Sequence, residues 1–196
     1  MRSLIVVLAA GLLGATGVHA QQAGAGANDL GALMGALGQM MQGGATNAAA
    51  AVVDFRELKA LLPTELPGFK RTAASGEKSS AMGMTIALSE GRYEAGEGSI
   101  DIKMSDYGGT GFATMMAAGW SMQEIDRETE TGFERTSTIG GHKAKEQYDS
   151  ASQSGSTEIL VAGRFLVEVT GNNVSAEALK TAVEKIDLAK LAALKK

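Results

Sequence analysis

The feature that most restricts the fold of this chain is a series of short stretches in which apolar and polar residues alternate between glycine-rich turns. The clearest stretch is residues 100–105, where two isoleucines and a methionine alternate with an aspartate, a lysine and a serine. A period of two is typical of a half-buried β-strand. Further extended stretches flank Gly140-Gly141 and Gly163-Arg164, where glycine tolerates the positive φ of a tight hairpin. Because hairpins join antiparallel strands, the sequence predicts a mainly antiparallel sheet.

Three segments predict amphipathic helices. Asp54 is a suitable N-cap for the first, and Pro63 ends its apolar stripe. Residues 112–120 predict the second, and Ser175 caps the third, which restarts at Asp187. Such helices bury their apolar stripes against a sheet. The predicted fold is therefore α+β, a mainly antiparallel sheet of about six or seven strands with three amphipathic helices packed on it.

Three regions carry weaker signals. Residues 69–73 predict a first strand, which is followed by a second in the alternating residues 82–89. Residues 123–131 are polar, with an acid at every second position from 124 to 130, and predict an exposed edge or a connector. Residues 150–156 are rich in serine and predict a loose loop.

Residues 1–20 have the organisation of a secretory signal peptide. Arg2 precedes an apolar run at 4–13, and small residues then lead to a cleavage position between Ala20 and Gln21. The alternative is an N-terminal membrane anchor, but spanning a bilayer needs about 20 apolar residues and this run is shorter. The sequence therefore predicts a periplasmic or secreted protein after cleavage, with no transmembrane span.

Residues 21–53 predict a flexible segment rich in alanine and glycine. Seven glycines and nine alanines occur in residues 21–50, which leaves little apolar surface to bury. Within it, residues 29–41 predict a short amphipathic helix whose apolar stripe runs from Leu30 to Met41. This stripe is a candidate contact for an envelope protein, a membrane surface or the body of the protein itself. The alternative is a leader that folds only on contact. Residues 54–196 predict a single α+β domain.

The composition excludes several classes of function. The chain has 18 basic and 22 acidic residues, a net charge of −4, and loss of Arg2 with the leader makes it −5. This balance argues against a nucleic-acid partner, which needs clustered Lys and Arg. The absence of cysteine excludes disulfides, zinc–thiolate sites, iron–sulfur clusters and a thiol nucleophile.

The organisation of the chain resembles the PsbP/DcrB-like group of exported α/β/α-sandwich proteins. The resemblance rests on the leader, the two prolines in one corner after the first helix, the hairpin strands, and the turn at Gly171-Asn172-Asn173 that leads into a C-terminal helix. The segment from Arg164 to Gly171 is similar to the last strand of such proteins. The resemblance covers residues 54–196 and implies an accessory or binding module of an envelope complex. It transfers no functional residue to this chain.

Two sets of residues are candidates for ligand binding. Met82 and Met84, with His142, are candidate soft-metal ligands, because thioethers bind Cu(I). The alternative is that the methionines, including Met115 and Met116 on the helix stripe of Trp120, fill the core.

The second set is a glycine turn. Gly109, Thr110 and Gly111 lie between a predicted strand and a predicted helix, where free backbone N–H groups can receive an anion. Simple strand-to-helix turns also use glycine. No catalytic residue or cofactor-binding residue is predicted, because the chain carries no recognisable catalytic or nucleotide-binding motif.

The leading hypothesis from the sequence is an exported, non-enzymatic binding or accessory module of the bacterial-type cell envelope. The alternative is a periplasmic copper-binding protein that uses methionine ligands. A hydrolase without a recognisable motif is the least favoured hypothesis.

Overall fold

The computed structural model of the protein describes residues 51–81, 84–108, 115, 118–120 and 122–195. No helix in these ranges is both long and apolar enough to cross a bilayer. The elements with defined bounds are, in chain order, α1 (Phe55–Ala60), β1 (Glu65–Leu66), β2 (Phe69–Ala81), β3 (Met84–Ala95), β4 (Gly98–Asp106), β5 (Asp126–Glu128), β6 (Gly132–Ile139), β7 (His142–Asp149), β8 (Ser154–Val161), β9 (Phe165–Asn172), α2 (Ala176–Glu184) and α3 (Leu188–Ala193).

The nine strands form one sheet in the order β1-β2-β3-β4-β9-β8-β7-β6-β5, and all neighbours are antiparallel. The α+β class and the mainly antiparallel sheet are confirmed. The predicted count of about six or seven strands is wrong. The extra strands are short and lie at the two edges: β1 has two residues and β5 has three. Strands this short carry no alternation to detect.

Three predicted boundaries also change. The first strand extends well beyond 69–73, because β2 pairs with β3 as far as Ala81 although few of its side chains are buried. Residues 154–156, predicted as part of a loop, begin β8 and pair with β7. The turn predicted at Gly163-Arg164 is a three-residue connection that also includes Ala162. In each case strand pairing, which the sequence does not display locally, decides the boundary.

The predicted turn and caps are confirmed. Gly140 and Gly141 have φ values of 58° and 81° and join β6 to β7 as a two-residue hairpin. The side chain of Asp54 accepts a hydrogen bond from the backbone N of Arg56 and caps α1. The side chains of Ser175 and Asp187 cap α2 and α3 in the same way. The edge position predicted for 123–131 is confirmed by β5.

The main core lies between one face of the sheet and the three helices, and we call this the helix face. Helix α1 packs on β2 and β3, whereas α2 and α3 pack on β8 and α2 also packs on β9. The predicted core strand supplies Ile100, Ile102 and Met104, all fully buried. Their neighbours across the sheet, Val167 and Val169, are also fully buried. The alternation seen in the sequence therefore marks the side of β4 that faces the helices.

The opposite side of the sheet, which we call the open face, carries the strand residues that alternate with those facing the helices. Near one end, Leu160 and Leu166 lie opposite each other on β8 and β9 and form a small buried cluster with Trp120 and Tyr107. Trp120 belongs to a helical segment that includes Ala118 and Gly119. The rest of the open face on β6–β9 is polar.

Candidate functional site

A groove of about 570 Å³ lies on the open face of the sheet. It lies toward the end of the sheet remote from Trp120, where β5–β9 run side by side. The side chains of alternate residues on neighbouring strands form its floor, because side chains on a strand point to one face at every second position. The lining residues are Arg127, Thr129, Thr131, Gly132, Phe133, Glu134, Gln147, Tyr148, Asp149, Ser152, Ser154, Gly155, Ser156, Thr170, Gly171 and Asn172.

The floor of the groove carries amide and hydroxyl groups. Gln147, Ser156 and Thr170 stand in register on β7, β8 and β9 and form one row across the sheet. Gln147 Nε2 donates to Ser156 Oγ at 2.9 Å. Ser154 and Asn172 lie two residues further along β8 and β9. All five side chains are neutral, and each has both donor and acceptor capacity.

At each end of this row, two charged side chains form an ion pair. Arg127 Nη1 donates to Glu134 Oε2 at 3.2 Å on the β5–β6 side. On the β3–β4 side, Arg92 Nη1 lies 3.3 Å from Asp101 Oδ2, and Asp101 is the register partner of Thr170. The floor is thus a neutral strip between two ion pairs.

Asp149 is the remaining charged residue of the groove. Its Oδ1 accepts a hydrogen bond from the backbone N of Ala151 at 2.8 Å, within the turn that follows β7. One of its oxygens is therefore engaged in holding the turn in place. Arg127 is the only cation among the residues that line the groove, and it is already paired.

Helix α2 supports the strands of the groove from the helix face. Gly155 and Gly171 are register partners on β8 and β9. A Cβ atom on Gly155 would lie 3.1 Å from Leu179 Cδ1, and one on Gly171 would collide with Val174 and Leu179. Tyr148 also donates its hydroxyl proton to the carbonyl oxygen of Val174 at 2.9 Å. The absence of two side chains therefore lets α2 pack against the backbone of the strands that carry the floor.

A row of charged side chains lies between the groove and Trp120. Lys145, Glu158, Glu168 and Lys103 are successive register partners on β7, β8, β9 and β4. Lys103 Nζ lies 3.0 Å from Glu168 Oε2. Burial raises the pKa of Glu158 above its ordinary value, the negative charge of Glu168 raises it further, and Lys145 opposes both effects.

The ion pair between Arg164 and Asp106 is buried and anchors the first of the described residues. Arg164 Nε and Nη2 donate to Asp106 Oδ1 and Oδ2, each at 2.8 Å. Asp106 Oδ2 also accepts from the backbone N of Val53 at 2.7 Å, and Arg164 Nη2 donates to the carbonyl oxygen of Ala51 at 2.8 Å. The hydrogen bonds to Asp106 raise the pKa of Arg164, although burial opposes this. The pair fixes residues 51–53 to the body and offers no access to a ligand.

Of the candidate metal ligands, the described residues include His142 on β7 and the backbone of Met84 on β3, two strands that are not neighbours in the sheet. His142 is half-buried at the start of β7, and its Nδ1 accepts from the backbone N of Ala162 at 3.5 Å. Met84 begins β3 opposite Ala81. No cluster of three or more His, Cys, Asp or Glu that could hold a metal occurs in the described ranges. Met82 lies outside these ranges, so the copper hypothesis stays a prediction.

Other candidates from the sequence also lie outside the described residues. They are Gly109, Thr110 and Gly111 of the anion-site prediction, Ala20 and Gln21 at the predicted cleavage position, and the stripe from Leu30 to Met41.

The methionines whose side chains the structure describes differ in burial. Met104 is fully buried. Met115, predicted to pack with Trp120, is 51% exposed, and Met122 is 86% exposed. Helical spacing alone therefore overestimated how much of this segment faces the sheet.

Neither the groove nor the buried ion pair is evident in the sequence. The groove side chains are ordinary polar residues of five strands and the turns between them, and the first residues of β8 lie in the stretch that predicts a loop. A weak signal is present, since residues 154–156 of the predicted loop continue directly into the predicted strand that begins at Thr157. The ion pair has a different signal in the sequence: Asp106 ends β4 and Arg164 directly precedes β9, and alternating residues of both strands are buried.

Comparisons of this chain with protein-family models, with curated proteins and with solved structures give no match.

Proposed function

We propose that this protein is an exported, non-enzymatic binding or accessory module of the bacterial-type cell envelope, and that it holds its ligand in the open-face groove. The observation that carries the proposal is the neutral floor of Gln147, Ser156 and Thr170 between two ion pairs. The volume of the groove lies within the range of about 300–1,000 Å³ that is usual for ligand pockets.

The side chains of the groove favour binding over catalysis. None of its lining residues is a histidine, and the carboxylates of Glu134 and Asp149 are both engaged in hydrogen bonds. A general base works best with a pKa near the operating pH and a free oxygen or nitrogen aimed at the substrate. The neutral hydroxyl and amide groups of the floor are suited to recognition.

Two features of the sequence support the proposal that the protein is exported and acts as an accessory module. Residues 1–20 have the organisation of a signal peptide, and the layout of residues 54–196 resembles the PsbP/DcrB-like group. Residues 51–53 are held to the body by hydrogen bonds with Asp106 and Arg164. We propose that the stripe from Leu30 to Met41 contacts an envelope protein while the groove holds the ligand.

The test uses a photoreactive amino acid at Ser156, in the groove, and in a separate protein at Ser79, an exposed residue of β2. The full-length chain is produced in a bacterial host, irradiated in cells, and analysed by intact mass. We expect a mature protein that begins at Gln21 and a discrete adduct from position 156 but not from position 79. Adding Thr170→Arg to the protein with the photoreactive residue at position 156 should abolish the adduct.

Two outcomes would contradict the proposal. Retention of Met1 in the bulk of the protein would remove the export claim. Adducts that are equal at both positions, absent at 156, or unchanged by Thr170→Arg would remove the claim that the groove is the binding site.

A further inference from the structure

We infer that the groove binds a neutral carbohydrate chain; this inference rests on the proposed function and specifies its ligand class. The first argument is electrostatic. An anionic ligand would need a free cation, yet Arg127 of the groove is held by Glu134 at 3.2 Å. A cationic ligand would find only Asp149, one oxygen of which holds a turn. Stripping a charged ligand of water without a partner is unfavourable, so the groove selects against net charge.

The second argument concerns hydrogen bonding. Each floor side chain can both donate and accept, as can every hydroxyl group of a sugar. Gln147, Ser156 and Thr170 are separated by successive strands, which are about 4.8 Å apart. They therefore present three polar groups at a regular interval across the sheet. An extended oligosaccharide offers hydroxyl groups at regular intervals along its length, which is the complementary pattern.

The third argument separates a carbohydrate from an extended peptide. A peptide that binds to a sheet usually adds a strand at a free edge and uses backbone hydrogen bonds. The floor belongs to β7, β8 and β9, each of which is paired on both sides within the sheet. Their backbone groups are already used. Recognition in the groove therefore falls to side-chain hydroxyls and amides.

The test is a calorimetric titration of the full chain with three neutral hexasaccharides: maltohexaose, cellohexaose and fully N-acetylated chitohexaose. We expect at least one of them to bind. Gln147→Ala should weaken its affinity about two- to tenfold, the loss of one or two hydrogen bonds. Thr170→Arg should abolish binding, because it places a long cationic side chain on the floor. The matched control Ser79→Arg adds the same charge on exposed β2 and should leave affinity unchanged.

The outcomes are distinguishable. If no hexasaccharide binds at up to about 10 mM, which corresponds to a very weak complex, the carbohydrate assignment is wrong. If the adduct at Ser156 nevertheless forms and is lost in Thr170→Arg, the proposed function stands, and the mass of the adduct identifies another class such as a peptide. If a hexasaccharide binds equally well to the wild type, Gln147→Ala and Thr170→Arg, its site is elsewhere and the inference fails. Unfolding curves test whether each variant is folded. If Thr170→Arg does not fold, the affinity of Gln147→Ala decides whether the groove is the carbohydrate site.

Discussion

Arg164 and Asp106, which are 58 positions apart in the chain, form a buried ion pair with two parallel hydrogen bonds of 2.8 Å. Asp106 ends β4, and Arg164 belongs to the turn between β8 and β9. Both oxygens of Asp106 accept a further backbone hydrogen bond, from Gly108 and from Val53. The pair therefore joins two neighbouring strands to the segment that enters the body.

Replacing one member of this pair should strongly destabilise the fold. We expect Arg164→Met to lower the free energy of unfolding by about 3–5 kcal/mol, because it leaves the carboxylate of Asp106 buried without its counter-charge. The measurement is urea denaturation. The control is Arg127→Met, which removes an exposed partner of Glu134 and should cost less than about 1 kcal/mol. Combining Arg164→Met with Asp106→Leu should recover part of the loss. Equal losses for Arg164→Met and Arg127→Met would contradict this account.

Adding a methyl group to the glycine beneath α2 should also destabilise the protein. In Gly171→Ala the new Cβ would meet Val174 and Leu179, which hold α2 against β9. We expect a loss of about 1–3 kcal/mol from overpacking. Gly119→Ala is the matched control, since a Cβ there has no neighbour within 4 Å and the residue is helical. It should be neutral or stabilising by up to about 1 kcal/mol. A neutral Gly171→Ala in thermal unfolding would show that α2 can move away at little cost.

The turn between β8 and β9 contains a strained alanine. Ala162 has a φ of 52°, and the following Gly163 has a φ of 64°. A left-handed conformation costs a non-glycine residue roughly 1–2 kcal/mol. Ala162→Gly should therefore raise the free energy of unfolding by up to about 1 kcal/mol, and Gly163→Ala should lower it by about the same amount. Chemical denaturation of both variants checks the pair, and a shift of the same sign in both would rule out backbone strain as the cause.

The pH dependence of stability should differ in sign between two glutamates of the sheet. The pKa of Glu158 is raised by burial and by Glu168, so its ionised form costs stability above the folded-state pKa; this cost shrinks as the pH falls through that value and is gone below the unfolded-state pKa. Burial also raises the pKa of Glu146, but the hydrogen bonds from Arg135 and the positive charges of Arg135 and Lys180 oppose it, and the pKa is lowered overall. Ionised Glu146 therefore contributes stability above its unfolded-state pKa, and this contribution is lost as the pH falls through the folded-state pKa.

Two neutral substitutions measure these contributions. Glu158→Gln should raise Tm at pH 7, and its advantage over the wild type should shrink in acid. Glu146→Gln should lower Tm at pH 7, and that deficit should also shrink in acid. Calorimetric scans from pH 7 to about pH 3, a range that spans ordinary carboxyl pKa values, give both curves. A Glu158→Gln variant less stable than the wild type at pH 7 would mean that its carboxylate makes a favourable contact instead.

Much of the local structure could be predicted from the sequence because its causes are local. The cap residues Asp54, Ser175 and Asp187 form hydrogen bonds within a few residues of themselves. Gly140 and Gly141 allow a turn that few other residues adopt. The alternation in residues 100–105 reflects burial on one side of β4. These features need no knowledge of what lies across the sheet.

The candidate site could not be predicted in the same way. The groove depends on Gln147, Ser156 and Thr170 standing in one row, and that row exists only because three separate strands pair in a particular register. A shift of one residue would turn each side chain to the helix face. The edge strands β1 and β5 were missed as strands for a related reason, since pairing with a longer neighbour creates them.

The starts of the helices, the hairpin turn at Gly140-Gly141 and the buried residues of β4 follow from the amino-acid sequence, since interactions within a few residues set each of these. Tertiary packing is needed to bring nine strands into one sheet, to join Asp106 to Arg164, and to place neutral side chains between paired charges on the open face. The physical reason is that strand register and long-range ion pairs are chosen by the free energy of the whole packed sheet, to which each local segment contributes only a part.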